Sequence, residues 1–255
     1  MAPDDVEVAV AAARAGADVV RGMFGQRLDR IDKGAGDFAT AADVAAEEAI
    51  LAVIRAARPD DAVLGEEGGQ RGPADAARQW LVDPLCGTLN YAAGMMVVAV
   101  NVALRDGAAA VADPFSGEVF FTDANTAGVR RDGVDERLTP TPASGLVDAN
   151  LDWTHAGFQA VDLLTHPAFG ERFRPRVVSS SLALVWVAAG RRAGYVTGGT
   201  DLGASVHFAA GIAVCRAAGC VVTGTDGAPL GPGSRGLVAA ADAGTHELLL
   251  SMIRS

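Results

Sequence analysis

Apolar positions near the start of the chain recur at helical spacing. Between Asp5 and Phe24, residues Val6, Val8, Val10, Ala13, Ala17, Val19 and Val20 form a stripe that predicts an amphipathic helix. A second helix is predicted from Val44 to Ile54. Thr40 or Asp43 serves as its N-cap, and Glu47 lies in the early turns, where the macrodipole favours anions. The pattern then shortens. Asp61–Leu64 and Trp80–Val82 read as short strands, and Met95–Leu104 as a buried strand turning at Arg105-Asp106-Gly107 into Ala108–Ala112. A further strand ends at Phe121, and Asp132-Gly133 marks another hairpin. Hairpins after helices predict an antiparallel sheet packed on helices. Leu138–Asn150 contains Pro140 and Pro142 and shows no apolar period, so it reads as a linker dividing 1–140 from 148–255 within one compact unit. Beyond it, helices are predicted at 158–164, at 182–189 before Gly190, up to Ala218, and from His246 to Ile253. Strands are predicted at 195–197, 221–223 and 237–241.

Composition narrows the function classes. In 255 residues, half are hydrophobic, so a sizeable core is available, yet no run of eighteen apolar residues predicts a membrane span. The opening Met1-Ala2-Pro3-Asp4-Asp5 does not read as a secretory signal. A net charge of −10 argues against nucleic acid or an anionic membrane as partner, and a phosphate-bearing substrate would need a local cation or metal. Three cysteines, Cys86, Cys215 and Cys220, make no disulfide framework, which points to a reducing cytoplasm.

Chemistry concentrates in two turns. Gly65-Glu66-Glu67-Gly68-Gly69 flanks two carboxylates with glycines that let the backbone bend and the side chains converge. Trp80-Leu81-Val82-Asp83-Pro84-Leu85-Cys86-Gly87-Thr88 runs from a strand into a Pro/Gly turn. Elsewhere, Cys215 and Cys220 read as core, and His155, His166 and His246 as surface or capping residues. The Arg191-Arg192 pair after an apolar helix reads as a solvated pair suited to the dipole. Asp201, in a glycine-rich loop before His207, is a candidate substrate contact.

Together the two turns resemble the inositol monophosphatase family, whose signature is Gly-Glu-Glu followed by Asp-Pro-Leu/Ile-Asp-Gly-Thr after a Trp-containing strand. Asp37, Thr40 and Asp43 match its Asp-x-x-Thr-x-x-Asp segment, and Val206-His207-Phe208-Ala209-Ala210-Gly211 occupies the place of its Trp-Asp-x-Ala-Ala-Gly motif. The resemblance implies a five-layered αβαβα sandwich of the inositol monophosphatase and fructose-1,6-bisphosphatase type, a homodimer, and Mg²⁺-dependent removal of phosphate from a small alcohol. By position, Glu66, Asp83 and the Leu85 carbonyl would hold a first Mg²⁺. Gly87 and Thr88 would offer N–H groups to phosphate, and Thr88 with Asp43 would orient the attacking water. Two further family ligands are altered: one Asp is Cys86 and another is His207.

Three readings follow. In one, Asp83, Cys86 and His207 form a site for Zn²⁺ or another soft divalent ion, and the chain remains a phosphomonoesterase. In another, Cys86 is a nucleophile with His207 as base, oriented by Asp83 or Glu66, acting on an activated ester or thioester without metal. In the third, the chain is a non-catalytic relative. Both catalytic readings expect a Cys86 thiolate near neutral pH.

Overall fold

The computed structural model describes residues 3–27, 29–34, 37–73, 75–152 and 158–255; the Asp37 side chain and His155 lie outside what it describes. Helices α1 (Asp5–Met23) and α2 (Ala41–Ala57) flank a ribbon of β1 (Arg30–Gly34) and β2 (Asp37–Thr40). An eight-stranded sheet follows. It contains β3 (Ala62–Gly65), β4 (Gly69–Arg71), β5 (Gln79–Cys86), β6 (Ala99–Leu104), β7 (Ala109–Ala112), β8 (Val119–Thr122), β9 (Ala127–Arg131) and β10 (Val134–Arg137). Its order is β10-β9-β8-β7-β6-β5-β3-β4, antiparallel except where β3 meets β5, and helix α3 (Thr88–Ala92) leaves the end of β5. The second sheet uses β11 (Leu146–Asn150), β12 (Arg174–Val177), β13 (Gly194–Thr200), β14 (Val221–Thr223) and β15 (Arg235–Ala240), in the order β12-β11-β13-β15-β14. Five helices accompany it: α4 (Ala160–Thr165), α5 (Pro167–Arg172), α6 (Leu182–Ala188), α7 (Ala209–Ala218) and α8 (Ala243–Ile253).

Strand alternation sorts the apolar residues into three cores. Val82, Val100, Val102 and Ala110 point to α1 and α2. Their neighbours Leu81, Ala99, Ala103 and Val111 point the other way, onto α6 and α7, which also cover Tyr195, Leu237 and Ala239 of the second sheet. On that sheet's opposite face, Val196, Val238 and Ala240 meet α4, α5 and α8. The layers are therefore αβαβα, as the resemblance implied. Helix α1 approaches closely at Gly16, where a Cβ would lie 2.8 Å from Ile50 and 2.9 Å from Val100. Ile50 is fully buried, and Ile50→Ala would cost about 2–5 kcal/mol through lost burial and the cavity left behind.

Thr40 is the N-cap of α2, and Asp43, at its third position, completes a capping box. His166 caps α5, its Nδ1 accepting the Ala168 N–H at 3.2 Å, and Cys215 and Cys220 are buried as read. Three sequence readings need correction. The expected linker ends in a buried strand, β11, paired in parallel with both β12 and β13. Its pattern was hidden because Asp148 sits inside, its charge met by Arg192 at 2.7 Å. The Arg191-Arg192 pair is therefore bound to buried carboxylates rather than left to solvent alone, since Arg191 also reaches Glu118 at 2.7 Å. His246 is buried rather than superficial, its Nε2 hydrogen-bonded to Thr223 Oγ1 at 2.8 Å. Among the described residues, no helix is long and apolar enough to cross a membrane.

Candidate active site

The acidic turn after β3 is held from outside. The buried Glu47 carboxylate of α2 accepts the N–H groups of Glu67 at 2.8 Å and Gly68 at 2.7 Å. Glu47 is thus a brace for the turn as well as a favourable charge near a helix start. Its grip leaves the Glu66 side chain free to enter the site. Lys33 on β1 reaches over, with Nζ 2.8 Å from Glu66 Oε1 and 2.6 Å from Glu67 Oε1.

Pro84 has no N–H to give the ladder, and the β5–β6 register shifts between Asp83 and Cys86. The strand there peels away from the sheet into the second turn. Asp83 is fully buried, and its Oδ1 accepts the Leu85 N–H at 3.1 Å. Its Oδ2 lies 2.8 Å from His207 Nδ1 and accepts from Asn101 Nδ2 at 3.4 Å. Asn101 in turn accepts the Ser181 hydroxyl at 2.8 Å. Glu66 Oε2 stands 3.6 Å from the same His207 nitrogen. Ligand atoms of Glu66, Asp83 and His207 all lie within 4.8 Å of one another.

Gly87 closes the turn at φ +106°, a left-handed conformation that L side chains rarely adopt, and a Cβ there would sit 3.0 Å from the Ser179 carbonyl. Thr88 Oγ1 donates to Asp43 Oδ1 at 2.9 Å and lies 3.1 Å from the Leu85 carbonyl oxygen. Burial, only partly offset by bonds from Thr40 and Thr88, pushes the Asp43 carboxyl above its ordinary range. Asp43 therefore completes the capping box of α2 and accepts the Thr88 hydroxyl at once.

Cys86 behaves differently from both catalytic expectations. Its sulfur accepts the Ser181 N–H at 3.3 Å and is not part of the Glu66–Asp83–His207 trio. Burial, with Asp83 beside it, pushes the thiol well above its usual pKa despite the Ser181 bonds. In this setting burial opposes the thiolate that both readings expected. The trio anticipated at Asp83, Cys86 and His207 thus has Glu66 in place of the cysteine.

The crowded acidic groups make the site hold protons more tightly than free groups do. Burial and then Asp83 raise Glu66 to about 8, against the opposing pull of His207 and Lys33. Burial pulls the His207 imidazole down, but its bond to Asp83 and the charges of Asp83 and Glu66 win and lift it to about 9. Without an ion, protons retained on Glu66 and His207 take the place of a cation beside Asp83. The donor set, two carboxylates and one imidazole, suits a borderline divalent ion better than Mg²⁺, which prefers oxygen alone. Glu66, Asp83 and Leu85 retain the oxygen donors that the resemblance implies for a first Mg²⁺, whereas Cys86 and His207 replace oxygen by sulfur and nitrogen at the second.

These groups open into a cleft of about 440 Å³ lined by Glu66, Leu85, Cys86, Gly87, Thr88 and Leu89 from one part of the chain. The other part contributes Asn150, Asp152, Ser179, Ser180, Ser181, His207 and Phe208. Asp201 does not line it; its Oδ1 accepts the Gly233 N–H at 2.5 Å and ties down another loop. Sequence reasoning missed Asn101, Asn150, Asp152 and Ser181 as site residues. Asn101 had a signal, as the one polar residue of an apolar strand; the others had none.

Comparison with known proteins follows the same line. The inositol monophosphatase family profile matches residues 3–255. An inositol-1-monophosphatase of Synechocystis is 32% identical over 259 residues, spanning 96% of this chain and 86% of its own. The inositol-1-monophosphatase ImpA of Mycolicibacterium smegmatis is 33% identical over 266 residues, spanning 97% of this chain and 92% of its own. Among solved structures, a Thermotoga maritima IMPase superposes with a TM-score of 0.82 at 21% identity, covering 99% of this chain and 97% of that one. An inositol monophosphatase–fructose 1,6-bisphosphatase gives a TM-score of 0.78 at 15% identity, covering 98% of this chain and all of its own. Fold, motif order and whole-length similarity agree: this chain belongs to the inositol monophosphatase family.

Proposed function

We propose that the chain hydrolyses a small phosphomonoester with one borderline divalent ion, such as Zn²⁺, Mn²⁺ or Co²⁺, held by Glu66, Asp83 and His207. The convergence of these three side chains, Glu66 and His207 in the cleft wall and Asp83 buried beside His207, carries the reading. No described lining residue of the cleft is Arg or Lys, so the carboxylates alone would repel a phosphate dianion. An ion of this kind, when bound, neutralises phosphoryl charge and acidifies a coordinated water. The chain's own groups do the rest. Thr88 donates its hydroxyl hydrogen bond to Asp43, leaving its oxygen lone pairs toward a water, and the Gly87–Thr88 turn presents amide donors to phosphoryl oxygens. Asn101 and Ser181 hold the Asp83 carboxylate in one orientation. The homodimer is kept as part of this reading on family grounds.

Metal analysis of the purified protein, paired with phosphate release from a phosphomonoester panel under Zn²⁺, Mn²⁺, Co²⁺ and Mg²⁺, tests this. Turnover that disappears with chelator and returns best with a transition ion is the expected result. Turnover indifferent to chelator would transfer the chemistry to Cys86, and no turnover with any ion would sink the hydrolase reading.

A further inference from the structure

A second cavity, of about 600 Å³, shares no lining residue with the catalytic cleft. It is lined by the β6–β7 turn, the β8–β9 turn and α7. Leu81, Ile212 and Ala213 give it apolar walls, and Arg105 and Arg216 bring two guanidinium groups. The described lining of the catalytic cleft has neither Arg nor Lys, so the two cavities select opposite charges. Arg105 is held by a neutral partner. Its N–H donates to the Gln79 carbonyl at 2.9 Å, and its Nε and Nη2 donate to Gln79 Oε1 at 3.2 and 2.7 Å. Gln79 is fixed in turn, its Nε2 donating to Gln70 Oε1 at 2.6 Å. Arg105 is therefore oriented while its charge stays uncompensated. Arg216, in the last turn of α7, makes no side-chain hydrogen bond or ion pair among the described residues. Carboxylates are not scarce in this chain, with 31 Asp and Glu against 21 Lys and Arg, and Arg130, Arg191 and Arg192 all take them. Asp106 also lines the cavity, yet it forms an ion pair with neither arginine.

A guanidinium fork pairs with a carboxylate or a phosphate oxyanion through two N–H groups at once. A cation would be repelled here, and a neutral polyol would leave both charges unmet. The described lining holds no Ser, Thr, Cys or His and a single acid, so it offers neither a nucleophile nor an acid–base pair. We infer that this cavity is a binding site for a small organic oxyanion, a carboxylate or a phosphate-class group on a short carbon body, held by Arg105 and Arg216. The carbon body would cover Leu81, Ile212 and Ala213, and the volume is that of a small-molecule pocket. The site binds without transforming its ligand, and it stands independently of the hydrolase reading.

Calorimetry of the full chain with glutarate and with n-propylphosphonate tests this. The first probe carries carboxylates; the second carries a phosphorus oxyanion without an ester bond to hydrolyse. The wild type should bind at least one of them, and heat with one alone assigns the ligand to that class. Arg105→Gln and Arg216→Gln should each weaken binding roughly tenfold, the size of one charge-assisted hydrogen bond. Both side chains are exposed, so neither change disturbs the core. Ala213→Leu, which fills the apolar wall and keeps both charges, should weaken binding as well. No heat with either probe overturns the inference, and so does heat that survives both arginine changes. If that surviving heat vanishes in Glu66→Gln, the anion sits in the catalytic cleft instead.

Discussion

The trio at the cleft and the cluster around Glu118 are both buried groups of mixed charge, built in opposite senses. At Glu118 one carboxylate meets two guanidinium groups, Arg191 at 2.7 Å and Arg131. Burial raises its pKa, but Arg191 and then Arg131 more than compensate, so it lies below the ordinary range. At the cleft, burial and Asp83 carry Glu66 up to about 8, and His207 keeps a proton up to about 9. The first cluster is electrically complete and joins the eight-stranded sheet to the end of α6. The second is balanced only because Glu66 and His207 hold on to protons that free groups would release. Burying uncompensated charge costs stability, and a cation site is the arrangement that makes such a cost useful.

The strongest way to break this comparison is Asp83→Asn. It removes the carboxylate that contacts both His207 and the Leu85 amide. Turnover should fall by about a thousandfold or more, or roughly 4 kcal/mol of barrier. Titration with Mn²⁺ or Zn²⁺ should show the affinity falling in parallel; unchanged metal binding would remove Asp83 from the site.

Next in size is the exchange of ligand types. Cys86→Asp combined with His207→Asp restores an all-oxygen set, so Mg²⁺-supported turnover should rise by about tenfold or more while Zn²⁺-supported turnover falls. No gain with Mg²⁺ would mean the cleft was rebuilt beyond its ligands. Cys86→Ser alone should stay within about tenfold of the parent, since a thiol held by an amide is not the reactive thiolate form. Complete loss of activity there would bring back the nucleophile.

The two clusters should also fail at opposite ends of the pH scale. His207 has a folded value of about 9 against about 6.5 unfolded, so its stabilising contribution is complete below about 6.5 and lost as pH rises through 9. Glu66, raised to about 8, works with the same sign. Glu118 is depressed; its contribution is present above the unfolded value of about 4.5 and is lost as pH falls below that. Thermal melts in chelator across pH 4 to 9.5 should therefore decline at both ends. His207→Gln should flatten the alkaline side only, and a melt that stays flat there would contradict the proton on His207.

The smallest effect is expected of Glu118→Gln. Arg131 and Arg191 are partly exposed, so solvent screening limits the loss to about 1 kcal/mol. Kinetics should be unchanged, and a fall in turnover would show that this cluster is not purely structural.

Much of the chain could be read without coordinates. The helices and hairpins followed from period and turn residues, because each depends on neighbours a few positions apart, whereas the layering came from the family resemblance. The turn residues Glu66, Asp83 and Thr88 were found for the same reason: Gly and Pro shape the backbone around them locally. His207 was singled out by its place in a motif, and its role then depended on which partners it met.

Tertiary structure decided those partners. Glu66, rather than Cys86, completes the trio with Asp83 and His207, because Glu47 holds the acidic turn and the Ser181 amide, ninety-five residues away in sequence, takes the sulfur. Asp148 and Arg192 settle inside the second sheet and turn an apparent linker into a strand. Asp152 enters the cleft through a serine and an asparagine from separate segments. Sequence determined the backbone at each turn, since φ and ψ preferences and strand alternation act over a few residues. It left open which buried charges would meet, since that depends on distance and desolvation in the packed chain.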